Sequence, residues 1–299
     1  MTPRRQRTEI SGVGLSWLEL GPVDGEPLVM LHGMRDVAWS LLPVAEALSG
    51  RFRVVLPELR GHGDSARPGA YTIDHFLYDL HRLTGHLDIG PAVLFGHSLG
   101  GQIVARYGAA FPDRVRAAVL VEGLGPPARP GEDDPARQIR DHGQRLLTVL
   151  DTPARQRPLP GLEFAAERLL ANNPRLDPAR ARELAERATR RSAAGELEWA
   201  FDPRVPSVFL SVRRDDTERY WRELRCPTLI VSGDLAAEYW RAQMPIEWDG
   251  AFAPGELEAR VARFPDAEHV AIADAGHMVH FDQCETLTRA VADFLERRL

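Results

Sequence analysis

The sequence predicts an α/β fold in which a mostly parallel sheet is wrapped by helices. Three observations carry that expectation. Short apolar runs such as 28–31, 93–95 and 229–231 have the composition of strands buried on both faces. Amphipathic stretches with a helical period lie between them, so strand and helix alternate as they do around a parallel sheet. One of the runs leads into Gly96-His97-Ser98-Leu99-Gly100-Gly101, a strand-to-helix turn that sets a serine between two glycines.

In chain order, residues 10–20 read as one or two strands, followed by a turn at Gly21, Pro22, Asp24 and Gly25. Residues 27–31 form a buried strand ending in His32-Gly33-Met34-Arg35, and a helix follows through Val44, Ala47 and Leu48. A second buried strand, 52–56, runs into the polar loop Arg60-Gly61-His62-Gly63-Asp64-Ser65. An amphipathic helix spans 73–87, a strand 92–95 delivers the chain to Ser98, and 102–111 is helical. Residues 115–121 are again strand, closed by Glu122-Gly123.

From about 126 to 222 the alternation stops. Prolines punctuate helical pieces near 135–150, 162–172, 178–194 and 215–224, with no strand core. This predicts a helical cap, 126–221, inserted into a core made of 1–125 and 222–299. The core resumes at 226–233. A last strand, 269–273, precedes Ala275-Gly276-His277, and a helix over 284–298 closes the chain. The stretch 234–265 is long for a simple connection and reads as a flap.

The totals suit one large α/β domain with an insertion: 299 residues, 44% hydrophobic and 27% charged. All 37 basic residues are arginine, so lysine Schiff-base chemistry is excluded. A net charge of −6 argues against a nucleic-acid partner. The arginines of 178–191 alternate with Glu183 and Glu186, as on a solvated, ion-paired helix face. No window approaches 18 uninterrupted apolar residues, and no apolar run follows the basic start. No membrane segment or secretory leader is therefore expected, and a cytoplasmic location is the default. Cys226 and Cys284 show no ligand spacing, and no His/Cys/Asp/Glu cluster has metal spacing, so neither metal nor cofactor is expected. The expected partner is a small-molecule substrate; a homodimer is compatible with the composition.

The glycines flanking Ser98 belong to a turn so tight that a Cβ there would strike neighbouring backbone. The turn sets the hydroxyl at a helix N-terminus, where free N–H groups favour developing negative charge. Four motifs each follow a predicted strand: His32-Gly33, Arg60-Gly61-His62-Gly63-Asp64-Ser65, Gly96-His97-Ser98-Leu99-Gly100-Gly101 and Gly276-His277. In that order they resemble the α/β-hydrolase-fold superfamily, over about 1–125 and 222–299. The resemblance implies an eight-stranded sheet, Ser98 as nucleophile and His277 as its base, with the backbone N–H groups of Met34 and Leu99 as the oxyanion hole. His280 reads as a packing or capping residue and His97 as a support for the turn. His75, His81 and His86 share no helical face.

A serine hydrolase also needs a carboxylate to fix the imidazole tautomer. The family's usual slot, a few residues beyond Gly233, holds Ala236 and Ala237. The candidates are Glu122, Asp234 and Glu238. Haloalkane dehalogenases and certain mycotoxin lactonases of the superfamily use an acid at the place of Glu122. A glutamate at the end of an apolar strand is costly to desolvate without a partner, which ranks Glu122 first and Asp234 as the alternative. Asp234 equally suits the N-cap of a helix over 235–241.

Serine in place of the aspartate of epoxide hydrolases and dehalogenases points to acyl chemistry, because displacement by serine would leave a stable ether. The expected activity is hydrolysis of a carboxylic ester or lactone of a small, largely apolar substrate through an acyl-enzyme. Trp39, Trp199, Phe201 and Trp240 are candidates to line its pocket, with Met34, Trp221 and Trp248. The alternatives are a carbon–carbon bond hydrolase of ring-cleavage or diketone products, a perhydrolase, and, in a different class, a low-turnover small-molecule binding protein.

Overall fold

A computed structural model describes the chain except for Met1, Pro130, Glu132, Asp133, Ala154, Ser211 and 244–247, and gives only the backbone of Arg214 and Asp215. The strands are β1 (Arg4–Ile10), β2 (Val13–Leu20), β3 (Glu26–Leu31), β4 (Phe52–Pro57), β5 (Ala92–His97), β6 (Val115–Val121), β7 (Thr189–Arg191), β8 (Leu197–Trp199), β9 (Thr228–Gly233) and β10 (Ala267–Ile272). Eight of them form one sheet in the order β1-β2-β4-β3-β5-β6-β9-β10. β2 pairs antiparallel with β1 and β4, and every pairing from β4 to β10 is parallel. The order turns back between β3 and β5, and at such a switch point the loops beyond the strand ends part to leave a crevice. His32 and Ser98 lie just past those two strands.

The period-2 alternation of each strand divides the core. From β5, Ala92 and Leu94 face one layer while Val93 and Phe95 face the other; β6 divides likewise, Ala118 and Leu120 against Val119 and Val121. One layer is filled from α2 (Ile73–His86) and α3 (Leu99–Ala110) by Phe76, Leu80, Leu83, Ile103, Val104 and Tyr107. The other is filled from α1 (Leu42–Leu48) and the closing helix (Cys284–Arg298) by Val44, Leu48, Leu287, Val291 and Phe294. Both faces are thus dry, which explains why the central strands are nearly unbroken apolar runs.

The single or double strand expected over 10–20 is a hairpin, with β1 starting at Arg4. Arg4, Arg5 and Arg7 on that exposed edge strand leave no apolar signature and disfavour pairing with another chain.

Among the described residues, the segment between β6 and β9 supplies no strand to the main sheet. It holds α4 (Pro135–Leu150), α5 (Leu162–Asn172), α6 (Pro178–Arg187) and α7 (Arg214–Glu223). The helix expected over 178–194 stops at Arg187, and β7 and β8 form an antiparallel hairpin after it. The β-branched Thr189 and the turn at Gly195, with φ +81°, favour the hairpin over continued helix. α6 docks onto the sheet side through Leu176, Ala181 and Leu184, which pack on Trp39 and Phe281. The flap expected over 234–265 contains α8 (Ala237–Gln243) and α9 (Glu256–Val261); its residues 244–247 lie outside the described residues. α10 (Val279–Asp282) precedes the closing helix, α11.

Candidate active site

Ser98 sits between the end of β5 and the start of α3 with φ 51° and ψ −112°. Few residues other than glycine adopt positive φ, and strain of this kind gathers at functional sites. The conformation is held from both sides: the Ser98 N–H donates to Val121 O at 2.9 Å, and the Gln102 N–H to Ser98 O at 3.1 Å. A Cβ on Gly96 would run into the Gly100 backbone, and one on Gly100 into Leu31 O. Only glycine fits at either place, so the hydroxyl is presented above the sheet. Leu99 is the first residue of α3, and an N–H there has no acceptor within its own helix.

His277 lies beyond β10, and the fold brings it to Ser98: Nε2 is 3.0 Å from Ser98 Oγ. Its Nδ1 is 3.0 Å from Glu122 Oε2. The second carboxylate oxygen, Oε1, accepts the Gly233 N–H at 2.9 Å. Glu122 also has positive φ, 51°, and its own N–H donates to Val231 O at 2.8 Å. Both oxygens of a side chain that is only 6% exposed therefore meet donors, as a buried carboxylate requires. The other two acids are engaged elsewhere. Asp234 Oδ1 accepts the Ala275 N–H at 3.3 Å and α8 begins only at Ala237, so the expected helix over 235–241 and its cap are displaced. Glu238 pairs with Arg175 at 2.9 Å.

Two buried histidines hold the loop that carries Met34. His32 Nε2 accepts the Leu59 N–H at 3.0 Å while its Nδ1–H donates to Gly33 O at 2.7 Å. His62 Nε2 accepts the Arg35 N–H at 3.0 Å. Burial pushes both imidazoles toward the neutral form, His62 down to about 4, and only a neutral ring can both accept and donate as these do. Behind His277, the Nε2–H of His97 donates to His277 O at 2.9 Å. His97 stacks edge-on with His280 at 4.6 Å between ring centroids.

Asp36, His97 and His280 place one candidate ligand atom each within 4.8 Å of one another. Sequence spacing gives no sign of this cluster, because its members come from the loop after β3, the end of β5 and α10. The Arg180 guanidinium acts on both Asp36 and His280, which disfavours a further cation. His97 Nδ1 and both ring nitrogens of His280 meet no hydrogen-bond partner among the described residues, while Asp36 accepts from the Ser40 hydroxyl at 2.6 Å and from the Val37 N–H at 2.8 Å. Burial raises the Asp36 carboxyl to about 6 and lowers the His280 imidazole to about 3.

A sequence profile described as alpha/beta hydrolase fold matches residues 26–283. The chain belongs to this family. Among curated relatives it is 26% identical over 302 residues to the dihydrolipoyllysine-residue acetyltransferase component of the acetoin cleaving system of Pseudomonas putida, covering 99% of this chain and 70% of that protein. It is 39% identical over 127 residues to a non-heme chloroperoxidase of Streptomyces lividans, covering 40% of this chain and 44% of the other. Among solved structures it is similar to the thioesterase domain from the curacin biosynthetic pathway, with TM-score 0.81 and 22% identity over 98% of this chain and 100% of that one. That similarity concerns the fold. Among the described residues no helix is long and apolar enough to cross a membrane.

Aromatic side chains surround the hydrolase-fold site unevenly. Tyr239 of α8 stacks flat on His277, with ring centroids 4.0 Å apart and planes 9° apart. Trp240 meets His277 edge-on at 5.1 Å. Phe201 stacks on Trp199 at 6.3 Å and lies under Arg35. Trp39 packs in the seam with α6, its ring covered by the Arg187 guanidinium at 4.1 Å. Trp221 is only 2% exposed and packs on Phe264 in the core, so it lines no pocket, contrary to expectation. Tyr239 was not among the expected residues. Its one sequence signal is its place in a connection too long for its strands.

Proposed function

We propose that the chain is a serine acyl hydrolase that cleaves a carboxylic ester or lactone of a small, largely apolar substrate through an acyl-enzyme. One observation supports this above all others: an unbroken line of hydrogen bonds from Glu122 through His277 to Ser98. In this reading His277 Nε2 takes the Ser98 proton as Oγ attacks the carbonyl carbon. The backbone N–H groups of Met34 and Leu99 hold the resulting oxyanion. His277 then returns the proton to the leaving oxygen, and a water activated by the same ring releases the acid.

Glu122 keeps the proton of His277 on Nδ1, so that Nε2 is the acceptor, and stabilises the imidazolium once it forms. The Gly233 N–H holds the carboxylate in turn, and Val231 O of β9 holds the Glu122 backbone. The helices between β6 and β9 act as a cap whose Phe201, together with Trp240 of α8, lines the acyl pocket.

The test is labelling with a fluorophosphonate. The folded protein is expected to be labelled at Ser98, to hydrolyse members of a panel of p-nitrophenyl esters and lactones, and to lose both properties as Ser98→Ala. A folded protein that takes no label overturns the reading in favour of a binding protein. Diketones in the same panel distinguish carbon–carbon bond hydrolysis.

A further inference from the structure

Arg35 immediately follows Met34, whose N–H the acyl-hydrolase reading places in the oxyanion hole. A Cβ at Gly33 would stand 2.9 Å from His97 Nδ1 and 3.5 Å from Ser98 Cβ, so residue 33 borders the serine. Two further residues span at most about 7 Å, and the arginine side chain adds a similar reach. The backbone here is in the left-handed region, φ 60°, which is unfavourable for an arginine. It persists because His62 Nε2 captures the Arg35 N–H at 3.0 Å. The fold thus fixes where this side chain starts.

The guanidinium carbon lies 5.9 Å from the centre of the Phe201 ring, and the residue is exposed. Among the described residues no carboxylate lies within ion-pair distance of it. Other arginines of the chain contrast with it: Arg67 pairs with Glu198, Arg204 with Asp202, and Arg175 with both Asp282 and Glu238. On the opposite side Tyr239 stacks on His277. Burial raises the Tyr239 hydroxyl and the charge of Arg35 opposes that rise, as expected for a cation facing the same space. A guanidinium against an aromatic face keeps its N–H edge free for a carboxylate.

We propose that Arg35 is the specificity residue of this site, selecting an ester whose acyl chain carries a second, anionic group that the guanidinium and the Tyr239 hydroxyl receive. This rests on the acyl-hydrolase reading above and names the class of its substrate: a largely apolar acyl chain with a carboxylate at the far end.

The experiment compares mono-p-nitrophenyl adipate with p-nitrophenyl hexanoate, which differ in the distal charge. Wild type is expected to favour the adipate ester in kcat/KM. Arg35→Gln is expected to lower the adipate-to-hexanoate ratio about tenfold, mostly through KM, with Arg35→Lys in between. Raising the salt is expected to narrow the wild-type ratio, because the site is open to solvent. A readout independent of turnover is calorimetric binding of adipate to Ser98→Ala protein, expected to vanish in Ser98→Ala/Arg35→Gln.

A ratio unmoved by Arg35→Gln, or a wild type that prefers hexanoate, overturns the proposal while leaving the hydrolase reading standing. Adipate binding that depends on Arg35 in a protein hydrolysing neither ester has the opposite meaning: the anion site stands and the hydrolase reading falls. Preference for a carboxylate on the leaving group instead of the acyl chain refutes the assignment to the acyl side.

Discussion

Replacing Glu122 by glutamine tests the site most directly, because the neutral amide cannot stabilise the imidazolium and either orientation carries a further cost. With its oxygen on the Gly233 N–H, the glutamine turns its NH₂ toward His277 Nδ1. That nitrogen must then accept, which moves the ring proton to Nε2, where it faces Ser98 and blocks proton abstraction. With the amide flipped, the oxygen serves His277 but the NH₂ confronts the Gly233 N–H, leaving a donor unsatisfied in a largely buried place at a cost of about 1–3 kcal/mol. The wrong tautomer is the cheaper choice, and in serine proteases the corresponding change lowers kcat by about 10⁴. Glu122→Gln is therefore expected to lose about 10³–10⁴ in kcat, roughly 4–5.5 kcal/mol in the barrier.

Asp234→Asn is the control. Its carbonyl oxygen can still accept the Ala275 N–H, now accepted by Oδ1 at 3.3 Å, so kcat should stay within about fivefold. Both proteins would be assayed on whichever ester the panel identifies, with circular dichroism to confirm folding. The reverse ranking would refute the assignment of Glu122 as the acid.

Three other outcomes follow from the same geometry. A Cβ at Gly233 would strike the carbonyl oxygens of Ala275 and Gly276, so Gly233→Ala should displace the loop carrying His277; a thermal melt should show Tm lower by roughly 5 °C, for a cost of about 3 kcal/mol, with activity lost. Burial, reinforced by the charge of Asp36, raises the Glu58 carboxyl to about 8. The folded protein then holds a proton that the unfolded chain releases near its ordinary value, so this contribution is full at low pH and is lost as pH rises to 8. Denaturant titrations between pH 6 and 8 should show stability falling by up to about 1.4 kcal/mol per pH unit from this group, and Glu58→Gln should flatten that slope. Tyr239→Phe keeps the ring on His277 and should hold kcat for a neutral ester within threefold, whereas Tyr239→Ala, which frees the imidazole to tilt, should lower it about tenfold; equal effects would show that stacking does not orient the ring.

The candidate site was legible in the sequence where a chemical need is local. Ser98 is marked by glycines that the turn itself requires, and Glu122 by the cost of leaving a carboxylate bare at the end of an apolar strand. His277 is marked by its place after the last strand. What stayed hidden depends on contacts between segments distant in the chain: Tyr239 on His277, the Asp36–His97–His280 cluster, and the His62 nitrogen that holds Arg35. None of these has a spacing or a composition of its own. The β7–β8 hairpin was lost because its strands are three residues each, too short for a period to register. β1 was missed because its outer face is charged.

The place of the acid shows how the fold tolerates such variation. β6 and β9 are neighbours in the sheet, and adjacent parallel strands lie about 4.8 Å apart. A carboxylate at the end of either can therefore approach the same imidazole nitrogen. Here the end of β9 contributes a donor instead: the Gly233 N–H holds Glu122 Oε1, and the oxygen left over faces His277. Alanine at 236 and 237 is then not a gap in the machinery. It leaves room for α8 to turn in and lay Tyr239 against the imidazole, a place where a carboxylate from this loop would compete. The acid on β6 and the aromatic ring on α8 are in this sense one arrangement, and each makes physical sense of the other.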